Sequence, residues 1–279
     1  MQSRLFNLLS TLIVMAGFSG CAQSDPEDVL SRDGDVVDFS GYKWDVKIFE
    51  EYPVGPGPNY FSGYYEDVFV DEKGYLHMRI SEHDGRWFSS EIISQQNMGY
   101  GTYEFVTQAD LENIPENVTL GLFTWDNNTF YEQGNSEIDI EFSKWGDVDE
   151  DNTLNFSVQP VNFGPYYPER TETIDTDPGE LVGVTTHLFT WTDTLITWKS
   201  YKGNSKDDTD EIASWSFGLD NPPRVKNENG ESSLPIVIPA PGATTNARIN
   251  FWILPWIDDA PTSGQELEVV IQRFSYTPM

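Results

Sequence analysis

The stretch NSEIDIEFSKWG, residues 135–146, sets Glu137, Asp139 and Glu141 at every second position, with Ile138, Ile140 and Phe142 between them. On a strand, residues two apart share a face, so the carboxylates point one way and the apolar side chains the other. The apolar set belongs to a core. An ordinary solvent face could carry the polar set, yet such faces favour Thr, Lys, Ser or mixed charge, because like charges this close repel. One of the three carboxyls must then hold its proton more tightly than usual.

Outward from this stretch the chain continues in the same way. GYLHMRI, GTYEFVTQA, VTLGLFTW, TLNFSVQP, HLFTWT, LITWKSY, ARINFWIL and ELEVVIQRFSY are short runs rich in Tyr, Phe, Trp, Val, Ile and Thr, separated by turn signals such as DEKG and DNN. That spacing is expected of an all-β sandwich or barrel. No run sustains a 3.6-residue period. With neither a repeat nor a change in composition, residues 36–279 read as one domain. The Pro- and Gly-rich segment 221–245 reads as an excursion between strands that shapes a cleft rim.

Ahead of the domain, Arg4 is followed by the apolar run LLSTLIVMAG and then FSGC. Residues 1–20 therefore read as a secretory signal, and Cys21, the single cysteine, as a lipobox thiol that would carry lipid. Residues 21–35 are polar, acidic and aperiodic, as a flexible tether would be. The expected location is outside the cytoplasm, as a lipoprotein of a bacterial envelope or a secreted protein, with membrane contact only through Cys21. The net charge of −30, from 46 acidic and 16 basic residues, argues against nucleic acid and anionic headgroups as partners. Neutral ligands fit better, and nine Trp leave rings available for binding. The acidic run DVDEDN begins like a calcium loop but lacks the Gly and Glu that would complete it, so it reads as a solvated loop. No metal site and no required cofactor is expected, a structural calcium is unsupported, and a monomer is expected. His83 and His187 read as isolated.

Paired carboxylates of unlike proton affinity are what glycoside hydrolysis requires: one attacks the anomeric carbon and the other, kept protonated by anionic neighbours, protonates the leaving oxygen. The α-carbons of Glu137 and Glu141 are about 13 Å apart by strand rise. Side chains leaning together over a concave sheet could bring the carboxyls to the ~5 Å of a retaining pair. Asp139, shorter and between them, is placed to hold the attacking carboxylate and tune both neighbours. Spacing alone leaves open which Glu attacks.

EIDIEF resembles the active-site strand of glycoside hydrolase family 16, in the form without an extra residue before the last Glu, as in lichenases. Residues 90–105, SEIISQQNMGYGTYEF, are similar to the lichenase segment in which a sugar-binding Glu precedes a YGYGxYE strand. HLFTWTDTLITWKSYKG resembles the family's strand pair with two Trp seven apart, here Trp191 and Trp198. NFWILPWIDD matches the lichenase NLW…DD spacing at Asn250, Trp252, Asp258 and Asp259, and EVVIQRFSYTP looks like the closing strand. The resemblance spans roughly residues 40–278. It implies a concanavalin-like β-jelly-roll of two antiparallel sheets with a concave cleft, and a retaining endo-glycosidase acting on a polysaccharide, with β-glucans as the expected substrates. It further implies Glu137 as nucleophile, Asp139 as its helper, Glu141 as acid/base and Glu91 as a sugar-binding residue.

Trp252, matched by position, is the expected stacking platform, with Trp125, Trp145 and Tyr131 beside the catalytic strand. Asn250, Gln159 and Asn162 are candidate partners for sugar hydroxyls. The departures fall where specificity is decided: Ile93 replaces the lichenase Arg two residues after the sugar-binding Glu, Asn135 replaces the Trp before the catalytic strand, and WDNNTFYEQGN is longer. A transglycosylase on the same residues and a glycan-binding lipoprotein without turnover are the rival readings.

Overall fold

The computed structural model describes residues 32–33, 35–129, 133–161, 170–219 and 238–279. The expected signal, Cys21, Tyr131, Asn162 and most of the excursion 221–245 lie outside the described residues. The first strands are β1 (Arg32–Asp33), β2 (Val36–Phe39), β3 (Tyr42–Val46), β4 (Phe49–Val54), β5 (Asn59–Phe61) and β6 (Val68–Val70). Then come β7 (Leu76–His83), β8 (Arg86–Phe88), β9 (Ser90–Ser94), β10 (Gly101–Asp110), β11 (Val118–Trp125), β12 (Ile138–Phe142) and β13 (Leu154–Val158). The last are β14 (Thr171–Thr173), β15 (Val182–Trp191), β16 (Leu195–Lys202), β17 (Glu211–Gly218), β18 (Asn246–Ile253) and β19 (Leu267–Pro278). Among the described residues the first backbone pairing is at Arg32, slightly ahead of Val36.

The strands form two large antiparallel sheets. One has the order β1-β2-β3-β9-β18-β11-β12-β13-β14, and the other β17-β16-β15-β10-β19-β7-β6 with β8 added on β7; β4 and β5 make a separate hairpin. Local chemistry sets the tight connections. Ser40-Gly41 joins β2 to β3 and Asp84-Gly85 joins β7 to β8, all four residues at positive φ, the twist that suits a two-residue hairpin.

Alternation decides which face each strand buries. Ile138, Ile140 and Phe142 of β12, Leu120 and Leu122 of β11, and Ile249 and Phe251 of β18 pack inward against Phe189, Trp198 and Ile271 of the opposite sheet. Burying seven such side chains contributes about 1.5–3 kcal/mol each before chain entropy is counted. Two contacts tie the layers together behind the carboxylate strand. Phe142 meets the His187 ring edge-on at 4.8 Å, and Trp198 donates its indole N–H to the Asp139 carbonyl at 3.0 Å. Trp191 and Trp198, the pair seven apart, are both fully buried core residues.

Candidate active site

The outer face of the nine-stranded sheet is polar along its centre, and strand register assembles it in rows. Asn155, Glu141, Gly121, Asn250 and Glu91 stand side by side on β13, β12, β11, β18 and β9. The next row is Ser157, Asp139, Phe123, Arg248 and Ile93. One step further, Trp125 and Asn246 pair beside Glu137, which lies just ahead of β12 in extended conformation. All three carboxylates therefore occupy one face, opposite Ile138, Ile140 and Phe142.

A turn aims Glu137. Gly134, Asn135 and Ser136 all have positive φ, and the Glu137 N–H closes on the Gly134 carbonyl. The turn is held from outside: Ser136 Oγ donates to Ala240 O at 2.7 Å and shares a 2.8 Å bond with Thr129, while Asn135 Nδ2 donates to Asp126 O. Asp126, fully buried, accepts from Asn128 N, Thr244 N, Thr244 Oγ1 and Thr245 Oγ1. Burial would raise its pKa, but these bonds outweigh it and hold the carboxyl below the usual range. Asp126 thus clasps the segment before β18 to the turn that carries Glu137.

Burial is the main influence on all three carboxylates. It pushes Glu141 up to about 7. It raises Glu137 well above the usual carboxylate range, helped by the charges of Glu141 and Glu91 and opposed by Arg248. Asp139, 2% exposed, is also raised well above its ordinary value, first by burial and then by Glu137 and Glu141, against a hydrogen bond from Gln159. At neutral pH such a cluster holds protons that isolated carboxyls would have lost.

The remaining expected residues divide into those facing the carboxylates and those already engaged. Glu91 is 1% exposed and lies between two cations, with Lys47 Nζ at 2.7 Å and Arg248 Nη1 at 3.2 Å. Burial lowers the pKa of both cations, against the pull of Glu91. Asn250, 5% exposed, has its Oδ1 buried without a hydrogen-bond partner on the row of Glu141. Gln159 is occupied locally: Oε1 accepts from Val161 N at 2.9 Å and Nε2 reaches Asp139 Oδ2 at 3.4 Å. Trp252 is buried between Trp145 and Trp256, each meeting it edge-on at 6.4 and 6.0 Å. The open rings of that trio are Trp145 and Trp256, 44% and 59% exposed. Trp125 carries the Arg248 guanidinium over its ring at 5.4 Å. Asp258 and Asp259 lie on an exposed turn.

His83 is not isolated, because its Nε2 lies 2.8 Å from the buried Asp67 carboxylate. His187 is buried between Thr185 and Ser200, and burial pushes its pKa down to about 3, so it stays neutral. Among the described residues no group of three or more His, Cys, Asp or Glu could hold a metal ion. Arg248, Lys47, Asp126 and Ser136 escape a reading from spacing alone. For Arg248 a signal exists: in NARINFWIL it shares the parity of Asn246, Asn250 and Trp252, a polar face on an otherwise apolar strand. Ile93, where the sequence departs from the lichenase pattern, pairs directly across β9 and β18 with Arg248.

No protein-family model and no curated protein matches the sequence. Solved structures do match. A β-glucanase of Bacillus licheniformis aligns over 90% of this chain and 96% of its own, with TM-score 0.55 and 14% identity. A laminarinase of Flavobacterium sp. UMI-01 aligns over 88% and 96%, with TM-score 0.57 and 16% identity. A glycoside hydrolase family protein of Mycobacterium thermorestibile aligns over 88% and 95%, with TM-score 0.59 and 15% identity. The polar face described above therefore belongs to a chain with the β-jelly-roll fold of the glycoside hydrolase family 16 glucanases and laminarinases.

Proposed function

We propose that this protein is an exported, endo-acting, retaining β-glycosidase that hydrolyses a β-glucan. The observation that carries the proposal is the set of three carboxylates on one open sheet face, Asp139 buried between the half-buried Glu137 and Glu141. The names of the solved relatives, β-glucanase and laminarinase, support the substrate class. The −30 charge suits a neutral polymer, and the leader of residues 1–20 ahead of Cys21 supports export and lipid attachment.

In this mechanism the Glu137 carboxylate attacks the anomeric carbon while Glu141 gives its proton to the glycosidic oxygen. The C–O bond breaks, the leaving sugar departs as an alcohol, and a glycosyl ester forms on Glu137. Glu141, now ionised, takes a proton from water as that water attacks the same carbon. The ester bond breaks, Glu137 is freed as carboxylate, and the product keeps its β configuration. Asp139, with its raised pKa, retains a proton to share with the Glu137 carboxylate, so that the charge on Glu137 is stabilised before attack. The unpaired Asn250 Oδ1 is available to a sugar hydroxyl, and an unsatisfied buried acceptor costs about 1–3 kcal/mol until one arrives. Trp145 and Trp256 offer open faces to sugar rings.

The test is reducing-end release by the chain from residue 22 onward on mixed-linkage glucan, laminarin, xyloglucan, agarose and carrageenan, with anomeric NMR of the first product. Release should occur on a β-glucan, give the β-anomer first, and fall at least about 10³-fold in Glu137→Gln and Glu141→Gln. A folded protein that binds one polymer and releases nothing would replace hydrolysis with capture. Products longer than the substrate, formed with an added oligosaccharide acceptor, would point to transglycosylation.

A further inference from the structure

Two indoles stand half open at one end of the carboxylate face, where the fold gains least from them. Trp145 is 44% exposed at a backbone φ of 54°, and Trp256 is 59% exposed. A bulky residue at positive φ is uncommon, and such outliers gather at functional sites. The turns that carry the two rings are held firmly. Trp145 N donates to Ser143 Oγ at 3.1 Å, Gly146 N to Glu116 O at 2.8 Å, and Ile257 N to Leu254 O at 3.0 Å. A Cβ on Gly146 would lie 2.7 Å from Ile257 Cδ1, so the missing side chain lets the two turns nest against each other.

Trp252, between them, belongs to the site's own face. It lies one row beyond Asn250 on β18 and pairs with Thr119 on β11, whose hydroxyl donates to Ser143 Oγ at 2.8 Å. Neighbouring rows on one face are about 7 Å apart along a strand. Along the strands therefore come the row of Glu137, that of Asp139, that of Glu141 and Asn250, and that of Trp252 with its two flanking rings. Trp145 and Trp256 meet Trp252 edge-on, so neither lies flat against it and each keeps a face open. Both ring centres lie within 6.4 Å of that of Trp252, so one short stretch of a sugar chain can touch both. One row away stands the buried, unpaired Asn250 Oδ1.

The reaction gives this order a direction. When Glu137 attacks and Glu141 protonates, the bond that breaks runs from a carbon at Glu137 to an oxygen at Glu141. The sugar that leaves with this oxygen departs toward the row beyond Glu141, which is the row of Trp252. We infer that Trp145 and Trp256 form the leaving-side subsite, stacking the sugar rings of the chain that departs and of any acceptor that returns in its place. The direction rests on the hydrolase reading above. A neutral hexose suits the place, because its C–H faces pack on an open indole while a hydroxyl supplies the donor that Asn250 Oδ1 lacks.

The test compares substrates that differ in what leaves: laminarin and mixed-linkage glucan, which release a sugar chain, and β-laminaribiosyl fluoride, which releases fluoride. In Trp145→Ala and in Trp256→Ala, kcat/KM on the polymer should fall about tenfold further than on the fluoride, the loss expected when one stacked ring is removed. With laminaritriose added to the fluoride as acceptor, the share of transfer product should fall in both variants. If Trp145→Ala fails to fold, Trp256→Ala and Trp145→Asn, whose side chain tolerates the positive φ, carry the same comparison. Folded variants that lose equally on polymer and fluoride, or lose on neither, overturn the inference. Binding is read separately from ¹⁹F signals of 5-fluorotryptophan-labelled Glu137→Gln, those of Trp145 and Trp256 being assigned by their loss when each is replaced. Both should shift on titration with laminarihexaose, and unmoved signals overturn the sugar site whether or not a polymer is cut. Shifted signals in a protein whose wild type cuts neither polymer nor fluoride keep the sugar site and remove the hydrolase reading, together with the direction drawn from it.

Discussion

Replacing Gly121 by Ala adds a methyl group where the central row of the site has none. The new Cβ would lie 3.3 Å from Asn250 Cγ and nearer still to Oδ1, whereas ordinary contacts begin at 3.4 Å. The clash is with the end of a side chain rather than with backbone, so the amide slides or rotates instead of the sheet opening. The stability cost is then small, about 1 kcal/mol, or a Tm lower by about 2–4 °C for a domain of this size. Activity should suffer more, because a displacement of about 1 Å in a group that orients substrate costs up to about 10²-fold. The assay is a double-mutant cycle on initial rates. Gly121→Ala should lose about 10–100-fold, Asn250→Ala should lose a similar amount, and the double variant should be no worse than Asn250→Ala. That pattern corresponds to a coupling of about 1.4–2.7 kcal/mol. Losses that add to within about 0.5 kcal/mol would refute the idea that Gly121 acts through Asn250.

Gly134→Ala combines a positive φ of 52° with a Cβ 2.7–2.9 Å from the Gln159–Pro160 backbone, which cannot swing aside. Stability should fall by about 2–4 kcal/mol with turnover lost in parallel, and an unchanged urea midpoint would contradict the turn's role in aiming Glu137. Trp198→Phe deletes the donor to the Asp139 carbonyl and should cost about 1–3 kcal/mol; equal unfolding curves would show that bond to be dispensable. A raised carboxyl pKa in the folded state means the native protein binds more protons than the unfolded one. The Glu141 contribution is therefore fully present below 4.5 and is lost as pH rises through about 7. Glu141→Gln should consequently gain on the wild type across that window, by on the order of 3 kcal/mol, and flat difference curves in denaturant titrations would argue against it.

The parity of residues 137–142 is legible because period two is a property of one strand, and the structure places Ile138, Ile140 and Phe142 in the core as that parity requires. The sandwich is legible for the same reason, repeated along the chain. Register is a different matter. Arg248 and Glu91 are 157 positions apart, and nothing local to either shows that β18 lies beside β9. Ring exposure is equally hidden: spacing singles out Trp252, but its neighbours cover it, and the open faces belong to Trp145 and Trp256. The turn before Glu137 is obscured by Ser136, whose φ of 52° is held by Thr129 and Ala240 rather than favoured by serine itself.

The position of the last two strands turns the topology into a matter of timing. β18 enters between β9 and β11 in one sheet, and β19 between β10 and β7 in the other. A nascent chain that has emerged only as far as residue 245 therefore holds both sheets split down the middle, with four unpaired edges open to other chains. Neither layer can close, and Asn250 and Arg248 cannot join Glu141 and Glu137, until the C-terminal segment is threaded into both gaps. Dependence on such distant pairings makes folding slow, on the order of milliseconds to seconds. Loss of that segment would divide the molecule at its centre rather than fray it at an edge.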